Sequence, residues 1–425
     1  MNSDVSLKKQ LLSFSRPARL FLIATVIDGV IYSAWSLYFN FYILERGYSR
    51  EFLGLVTSMT SAATLLLGIP IGLLSDRIGR KRAMLIGVAV VVLSNALQVT
   101  VKTPGLILIA SFLAGVGGSL YYLSQAPFMM RVSDDENRAL LFSLNFGLVT
   151  LSGVIGSLFA GALPSFIANW LSVPVNSAQA YQAVLLAAVA LGSITLIPLA
   201  LIREPALPKT LQKTAESTSG LLASTWRVLS RKITIQLSLP NLLIGLGAAI
   251  LIPYINVFFR DKFNIPDQTL GLLFGLSSLL TGIGSIFSPR LAISLGGKIR
   301  AVVVTQGLSL LFLLFMGFAP VLWIAALGFL LRGMLMNMAV PLYSAFAMEQ
   351  VTDHERATVN SVKELAWQLG WVVGPITSGI VQQRIGFTPL FIATAILYFL
   401  AIMLTWLFFS QTEKSLQELA TVEST

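Results

Sequence analysis

Long apolar runs divided by short polar stretches, mostly basic, set the pattern of this chain. A helix that crosses the roughly 30 Å hydrocarbon core of a bilayer needs about 20 apolar residues. Residues 20–44 make the first such run, interrupted only by Asp28. A second lies between Glu51 and Asp76, a third between Arg82 and Lys102, and a fourth between Lys102 and Arg131. From 139 to 202 there is no charge, which is too long for one span. The stretch 164–179, with Pro164, Asn169, Pro174 and Asn176, predicts a break there, giving helices 5 and 6. Helix 7 is expected between Lys232 and Arg260, and helix 8 ends near Arg290. Residues 301–348 hold two spans divided at 317–320, helix 11 is expected over 357–383, and helix 12 over 385–411. The pattern predicts an all-α membrane protein with twelve transmembrane helices.

Composition agrees: 55% of the 425 residues are hydrophobic and 11% charged, against about 25% charged in soluble domains. One His and no Cys remove thiol chemistry, disulfides and His/Cys metal sites, and no cofactor is expected. Of the 29 Lys and Arg, six (Arg46, Arg50, Lys102, Arg260, Lys262, Arg384) fall in the loops of one side and two (Arg332, Lys363) inside spans. The rest share the other side with both termini, so the positive-inside rule places both termini in the cytoplasm and the chain in the plasma (inner) membrane. The net charge of +10 is thus spread over cytoplasmic loops rather than gathered in a nucleic-acid groove. The first ten residues are polar and the first apolar run is long, so no cleaved signal peptide is expected.

An internal repeat is readable. Shifting the first half by 218 residues lays Arg138-Ala139 on Arg356-Ala357, Ser143 on Ser361, Gly156 on Gly374 and Gly161 on Gly379. The same shift lays Gly79-Arg80 on Gly297-Lys298, Leu113 on Leu331 and Gly115 on Gly333. Helix 1 takes a shift of 216, which lays Tyr38 and Asn40 on Tyr254 and Asn256. The expected organisation is a six-helix bundle over residues 1–203, a cytoplasmic linker over 204–232, and a second bundle over 233–425. Six spans per half give a parallel, pseudo-symmetric repeat about an axis along the membrane normal.

The loop after helix 2 holds Gly72, Asp76, Arg77, Gly79, Arg80 and Lys81, spaced as G-x-x-x-D-R-x-G-R-[RK]. In sequence and in place this resembles the signature of the major facilitator superfamily, with a degenerate copy over 290–300. The resemblance covers the whole chain in span count, linker and repeat. It implies that helices 1, 4, 7 and 10 line a cavity, that 2, 5, 8 and 11 flank it, and that 3, 6, 9 and 12 lie outside. It also implies a gating latch of Asp76 and Arg80, with Gly72, Arg77 and Gly79 beside them. The bland reading of Arg77, Arg80, Lys81 and Arg82 is that they only set topology, which explains neither Asp76 nor the glycines.

An ionisable group at bilayer depth costs at least about 2.5–3.5 kcal/mol and is a functional candidate by default. Asp28 heads a helical face with Tyr32, Trp35 and Phe39. A carboxyl among aromatic rings in low dielectric is a candidate proton-coupling group. It is equally a seat for a cation, or one half of a fixed ion pair with Arg332. Arg332 heads a face with Met336, Ala339 and Tyr343, and is placed either to hold an anionic solute or to neutralise Asp28. Met334 and Met338 fall on the opposite face as packing. On helix 11, Glu364, Gln368, Trp371 and Pro375 share a face; Glu364 is a second proton candidate, and Lys363 is expected to snorkel to the cytoplasmic interface. Tyr122 and Gln125 of helix 4 are polar within an apolar run and expected at the cavity. Tyr38, Asn40, Tyr254 and Asn256 are either outer-gate residues or interfacial anchors.

Drug:proton antiporters of the superfamily usually carry an Arg in helix 4 and a Gly-Pro near the end of helix 5. Here Ala114 stands where the repeat puts Arg332, and Gly370-x-x-x-Gly374-Pro375 occurs in helix 11 instead. The antiporter motifs are therefore incomplete. Nothing resembles a nucleophile–base pair or a metal cluster, so the chain is not expected to be an enzyme. The leading expectation is a monomeric secondary transporter that works by alternating access and exports amphipathic compounds against protons. The others are proton-coupled uptake of a small, anionic metabolite and, more remotely, a membrane sensor.

Overall fold

A computed structural model of the protein describes residues 14–134, 137–203 and 231–423. Twelve long helices account for nearly all of it, and the described residues contain no strand. The first half holds α1 (Arg16–Glu45), α2 (Arg50–Ile78), α3 (Arg80–Thr100), α4 (Pro104–Val132), α5 (Arg138–Leu171) and α6 (Ala178–Leu201). The second holds α7 (Lys232–Phe263), α8 (Asp267–Ser294), α9 (Lys298–Phe318), α10 (Leu322–Glu349), α11 (Asp353–Arg384) and α12 (Thr388–Glu423). Eleven are long and apolar enough to cross a membrane. The remaining one, α11, is long enough but carries Lys363, Glu364, Gln368, Gln382 and Gln383. Together they are the twelve helices that the hydropathy pattern predicts.

Helix ends differ from the sequence pattern in ways with local causes. The break expected within 164–179 falls between Leu171 and Ala178: α5 runs through Pro164, and Ser172, at φ 55°, turns the chain. A proline costs an interior helix one hydrogen bond, and in a membrane neighbouring groups tolerate the loss. In α7, Pro253 tightens residues Ile252–Tyr254 into a 3₁₀ turn. Helix α11 begins at Asp353 rather than 357; just outside it, the Thr352 hydroxyl donates to Glu355 at 3.0 Å. The linker expected over 204–232 lies outside the described residues up to 230, and Lys232 already opens α7.

The chain divides into two compact units, Met1–Gly47 with Met59–Glu216, and Tyr48–Ser58 with Ser217–Thr425. Within the first, α1 packs on α5 and α6, and α3 on α4. Within the second, α7 packs on α11 and α12, and α9 on α10. The cores repeat residue by residue. Phe21, Met84, Tyr121, Phe128, Met129 and Leu141 belong to one buried cluster, and Leu237, Val302, Ala339, Phe346, Ala347 and Val359 to the other. Each pair lies 216 or 218 positions apart.

A seam of small residues sets the α1–α5 and α7–α11 spacing. A Cβ on Gly29 would stand 2.7 Å from Ser152 Cβ, and one on Gly156 2.8 Å from the Val30 carbonyl oxygen. One repeat later, Gly370 lies against the backbone of Gly245 and Leu246, and Gly374 against Ala249 and Ile250. Helix pairs in lipid gain little from the hydrophobic effect and rely on such close backbone approach.

Candidate functional site

The Gly29 seam turns one side of α1 to α5 and leaves Asp28 on the side of α4. Tyr122 Oη of α4 donates to Asp28 Oδ2 at 3.2 Å. Tyr32 and Tyr121 lie within electrostatic reach of the same carboxylate, and the rings of Tyr121 and Tyr122 meet edge-on at 5.2 Å. Tyr32 is 64% exposed and Tyr122 52%, so Asp28 sits below an open face made of phenol rings. Trp35 continues that face, stacked on Phe39 at 4.8 Å, and Gln125 is half-buried three residues beyond Tyr122. Thr25 Oγ1 donates to Asn145 Oδ1 at 3.0 Å, tying α1 to α5 one turn from Asp28.

The α10 face behaves otherwise. Arg332, Met336, Ala339 and Tyr343 are all buried. Arg332 is 5% exposed and donates through Nη2 to Tyr398 Oη of α12 at 2.6 Å. Tyr343 donates to the Leu237 carbonyl of α7 at 2.8 Å and belongs, with Ala339, to the core of the second unit. This face was expected to line a cavity, and the structure packs it inside the second unit instead. Helical spacing correctly groups the residues but does not say which neighbour they meet. Tyr398, the partner of Arg332, carries no sequence signal beyond being a polar ring in an apolar run. Met334 and Met338 pack over Gly284, as plain packing residues do.

On α11, Glu364 is exposed and accepts from Gln368 Nε2 at 3.4 Å, and Trp371 stands 6.2 Å from Trp367, ring to ring. Lys363 does not snorkel. It is 6% exposed, and its Nζ donates to Ser344 Oγ of α10 at 3.1 Å. Tyr38, Asn40, Tyr254 and Asn256 are buried. Tyr38 stacks on Tyr181 at 5.4 Å, and Tyr254 Oη donates to the Pro375 carbonyl at 3.1 Å.

The signature, expected as a loop, is a bonded unit at a helix junction: residues 72–78 end α2, Gly79 alone joins the helices, and α3 begins at Arg80. Gly79, at φ 92°, opens α3 in a conformation that side chains resist. Arg80 is buried, ion-paired with Asp76, and donates through Nη1 to Ser75 Oγ at 2.9 Å. Ser75 in turn bonds Ser124 of α4 at 2.7 Å. Lys81 donates to the Ala200 carbonyl at the end of α6. Arg77 is exposed, and Gly72 meets nothing on its Cβ side. In the second unit Gly297 opens α9 likewise, but Ser294 replaces Asp76, and Lys298 pairs with Glu349 of α10. At the opposite end of that unit, Arg50 bonds Asp261 at 2.6 Å beside a pocket of about 490 Å³ that Phe258, Lys262, Phe387 and Phe391 also line.

The sequence profile of the Major Facilitator Superfamily matches residues 20–239 and again 237–424. The chain belongs to this superfamily. Like its other members, it is a transporter of small molecules and not an enzyme. Multidrug resistance protein MdtG of Proteus mirabilis is 24% identical over 401 residues, covering 91% of this chain and 94% of that protein. Among solved structures, a bacterial homolog of the human lysosomal transporter Spinster matches with a TM-score of 0.75 at 15% identity, over 92% of this chain and 95% of that one. The nucleoside transporter NupG matches with a TM-score of 0.69 at 16% identity, over 93% and 98%. These two likenesses show the fold alone.

Proposed function

We propose that the chain is a proton-coupled exporter of amphipathic compounds, with Asp28 as the group that exchanges proton for solute. The Tyr122–Asp28 bond carries the reading. It holds a lone carboxyl at mid-span under an open aromatic face, where a bare charge is costly. Such a carboxyl is stable with one positive charge beside it, either a proton or the cationic group of a solute seated on Tyr32, Trp35 and Tyr122. Occupancy by one excludes the other, which is the condition for antiport. The match to a multidrug resistance protein over 91% of this chain supports the same direction. Glu364, exposed beside Gln368 and Trp371, serves as the second proton site. The halves 1–203 and 233–425 are the moving bodies of an alternating-access cycle, the Asp76–Arg80 unit its latch, and both termini face the cytoplasm of the inner membrane.

Purified protein in vesicles with an imposed pH gradient tests this. Gradient-driven movement of a cationic dye, collapsed by an uncoupler and lost in Asp28→Asn, is the expected result. Driven transport that survives Asp28→Asn overturns the coupling role. Gradient-driven accumulation of a small organic acid, with no dye movement, reverses the direction in favour of uptake.

A further inference from the structure

The repeat isolates one buried charge whose presence packing does not require. Lys363 stands where the first half has Asn145, and Asn241 where it has Thr25. In the first unit, Thr25 bonds Asn145 and ties α1 to α5. In the second, Asn241 Nδ2 donates to the backbone carbonyl of Lys363 at 2.8 Å and ties α7 to α11. The helix tie of the second unit therefore uses the backbone at 363, and the first unit shows that a neutral amide suffices at this place. The ammonium is an addition.

Its surroundings suit an anion. Nζ donates to Ser344 Oγ at 3.1 Å and stands 6.0 Å from the centre of the Tyr343 ring. Tyr343 Oη is engaged with Leu237, so Tyr343 meets Lys363 through its ring face alone, a cation–π contact that carries no full countercharge. None of the ion pairs among the described residues involves Lys363. Glu364, the next residue, acts on it electrostatically but is exposed and bonded to Gln368. An ammonium has three protons to donate, and a buried one without a bonded carboxylate favours an incoming anion. Ser344 is half-buried, while Pro341 and Ala345 beside it on α10 are exposed.

We propose that Lys363, with the Ser344 hydroxyl, is an anion-binding subsite that takes the carboxylate of an amphipathic solute. The proposal rests on the transporter reading above and deepens it, since it adds organic acids and zwitterions to the solutes carried. It also moves to Lys363 the anion-binding role that the sequence offered to Arg332, whose guanidinium is turned to Tyr398.

The test uses the full chain in nanodiscs of zwitterionic lipid and two probes of one shape and opposite charge, naphthalene-1-carboxylate and naphthalen-1-ylmethylammonium. Affinities are read from quenching of tryptophan emission. The expected result is that Lys363→Gln shifts the ratio of the two affinities at least tenfold toward the cation. Lys363→Arg should restore most of the preference, and Ser344→Ala should shift it by about threefold. An unchanged ratio in a monodisperse Lys363→Gln protein overturns the proposal. So does naphthoate binding that is absent in zwitterionic lipid while an anionic lipid is retained through Lys363, which would make the site a headgroup site. Binding is read without a gradient. A failed Asp28→Asn experiment therefore overturns proton coupling and leaves this site standing, and the converse also holds.

Discussion

Tyr122 Oη donates to Asp28 Oδ2 at 3.2 Å, joining α4 to α1 inside the first unit. A hydrogen bond to a charged group contributes about 1.5–3 kcal/mol. Tyr122→Phe removes the bond and keeps the ring. Its expected effect is a fall of about tenfold in gradient-driven transport, with the folded yield unchanged. Tyr32→Phe, whose hydroxyl is not bonded to Asp28, should cost less than threefold. Initial rates in vesicles at matched protein density decide between them, and equal effects of the two variants would remove Tyr122 from the site.

Arg332 and Tyr398 call for a different experiment, because both are buried and each is the other's partner. Removing one member of a buried polar pair strands the other, whereas removing both does not. Tyr398→Phe alone should therefore lower the Tm of the detergent-solubilised protein by several degrees. The double variant Tyr398→Phe with Arg332→Met should recover part of that loss. Additive losses would show that the pair is not coupled.

The comparison of Arg332 with Asp28 shows how far sequence carries. Both stand out as charges in apolar runs, and both head helical faces. Asp28 meets Tyr122, a residue the sequence also marked as polar at cavity depth. Arg332 meets a tyrosine 66 residues away on a helix expected to lie outside. Periodicity gives the face of a helix but not the neighbour on that face, and a long side chain adds its own reach. Lys363 shows the same limit: its flexible stem can end at the interface or inside, and contacts with Ser344 and Tyr343 decide. What the sequence carried well was whatever is counted along the chain: span number, the motif at 72–81, and the repeat; that the motif is helix on both sides of Gly79, rather than a loop, was not legible. The repeat proved the most informative, since its two offsets pair the buried cores of both units and single out Lys363 by contrast with Asn145.

The glycine seam yields a stability prediction with an internal control. Gly156 and Gly374 hold equivalent positions against α1 and α7. Either one changed to Leu forces a helix pair apart, and overpacking of this kind costs about 1–3 kcal/mol or more. Both variants should lose most of their folded yield, measured by fluorescence-detected size exclusion. Gly72→Ala serves as the control, because a Cβ there meets nothing within 4 Å. A stable Gly374→Leu beside an unstable Gly156→Leu would mean that the two seams are not equivalent.

Arg80 separates a latch from a topology signal. As a topology signal only its positive charge matters, and Lys would serve equally well. As a latch it needs two bonds at once, to Asp76 and to Ser75, and through Ser75 it reaches Ser124 of α4. An ammonium presents a point charge and lacks the planar fork that serves two acceptors set apart. Arg80→Lys should therefore insert with unchanged topology, read by cysteine accessibility at introduced loop positions, and transport about tenfold more slowly. Asp76→Asn should do the same, and the two together should be no worse than either alone, since both break one unit. A transport rate in Arg80→Lys equal to that of the unaltered chain would reduce this loop to a topology signal. The burial of Arg80 and its paired partners would then have no role in the transport cycle.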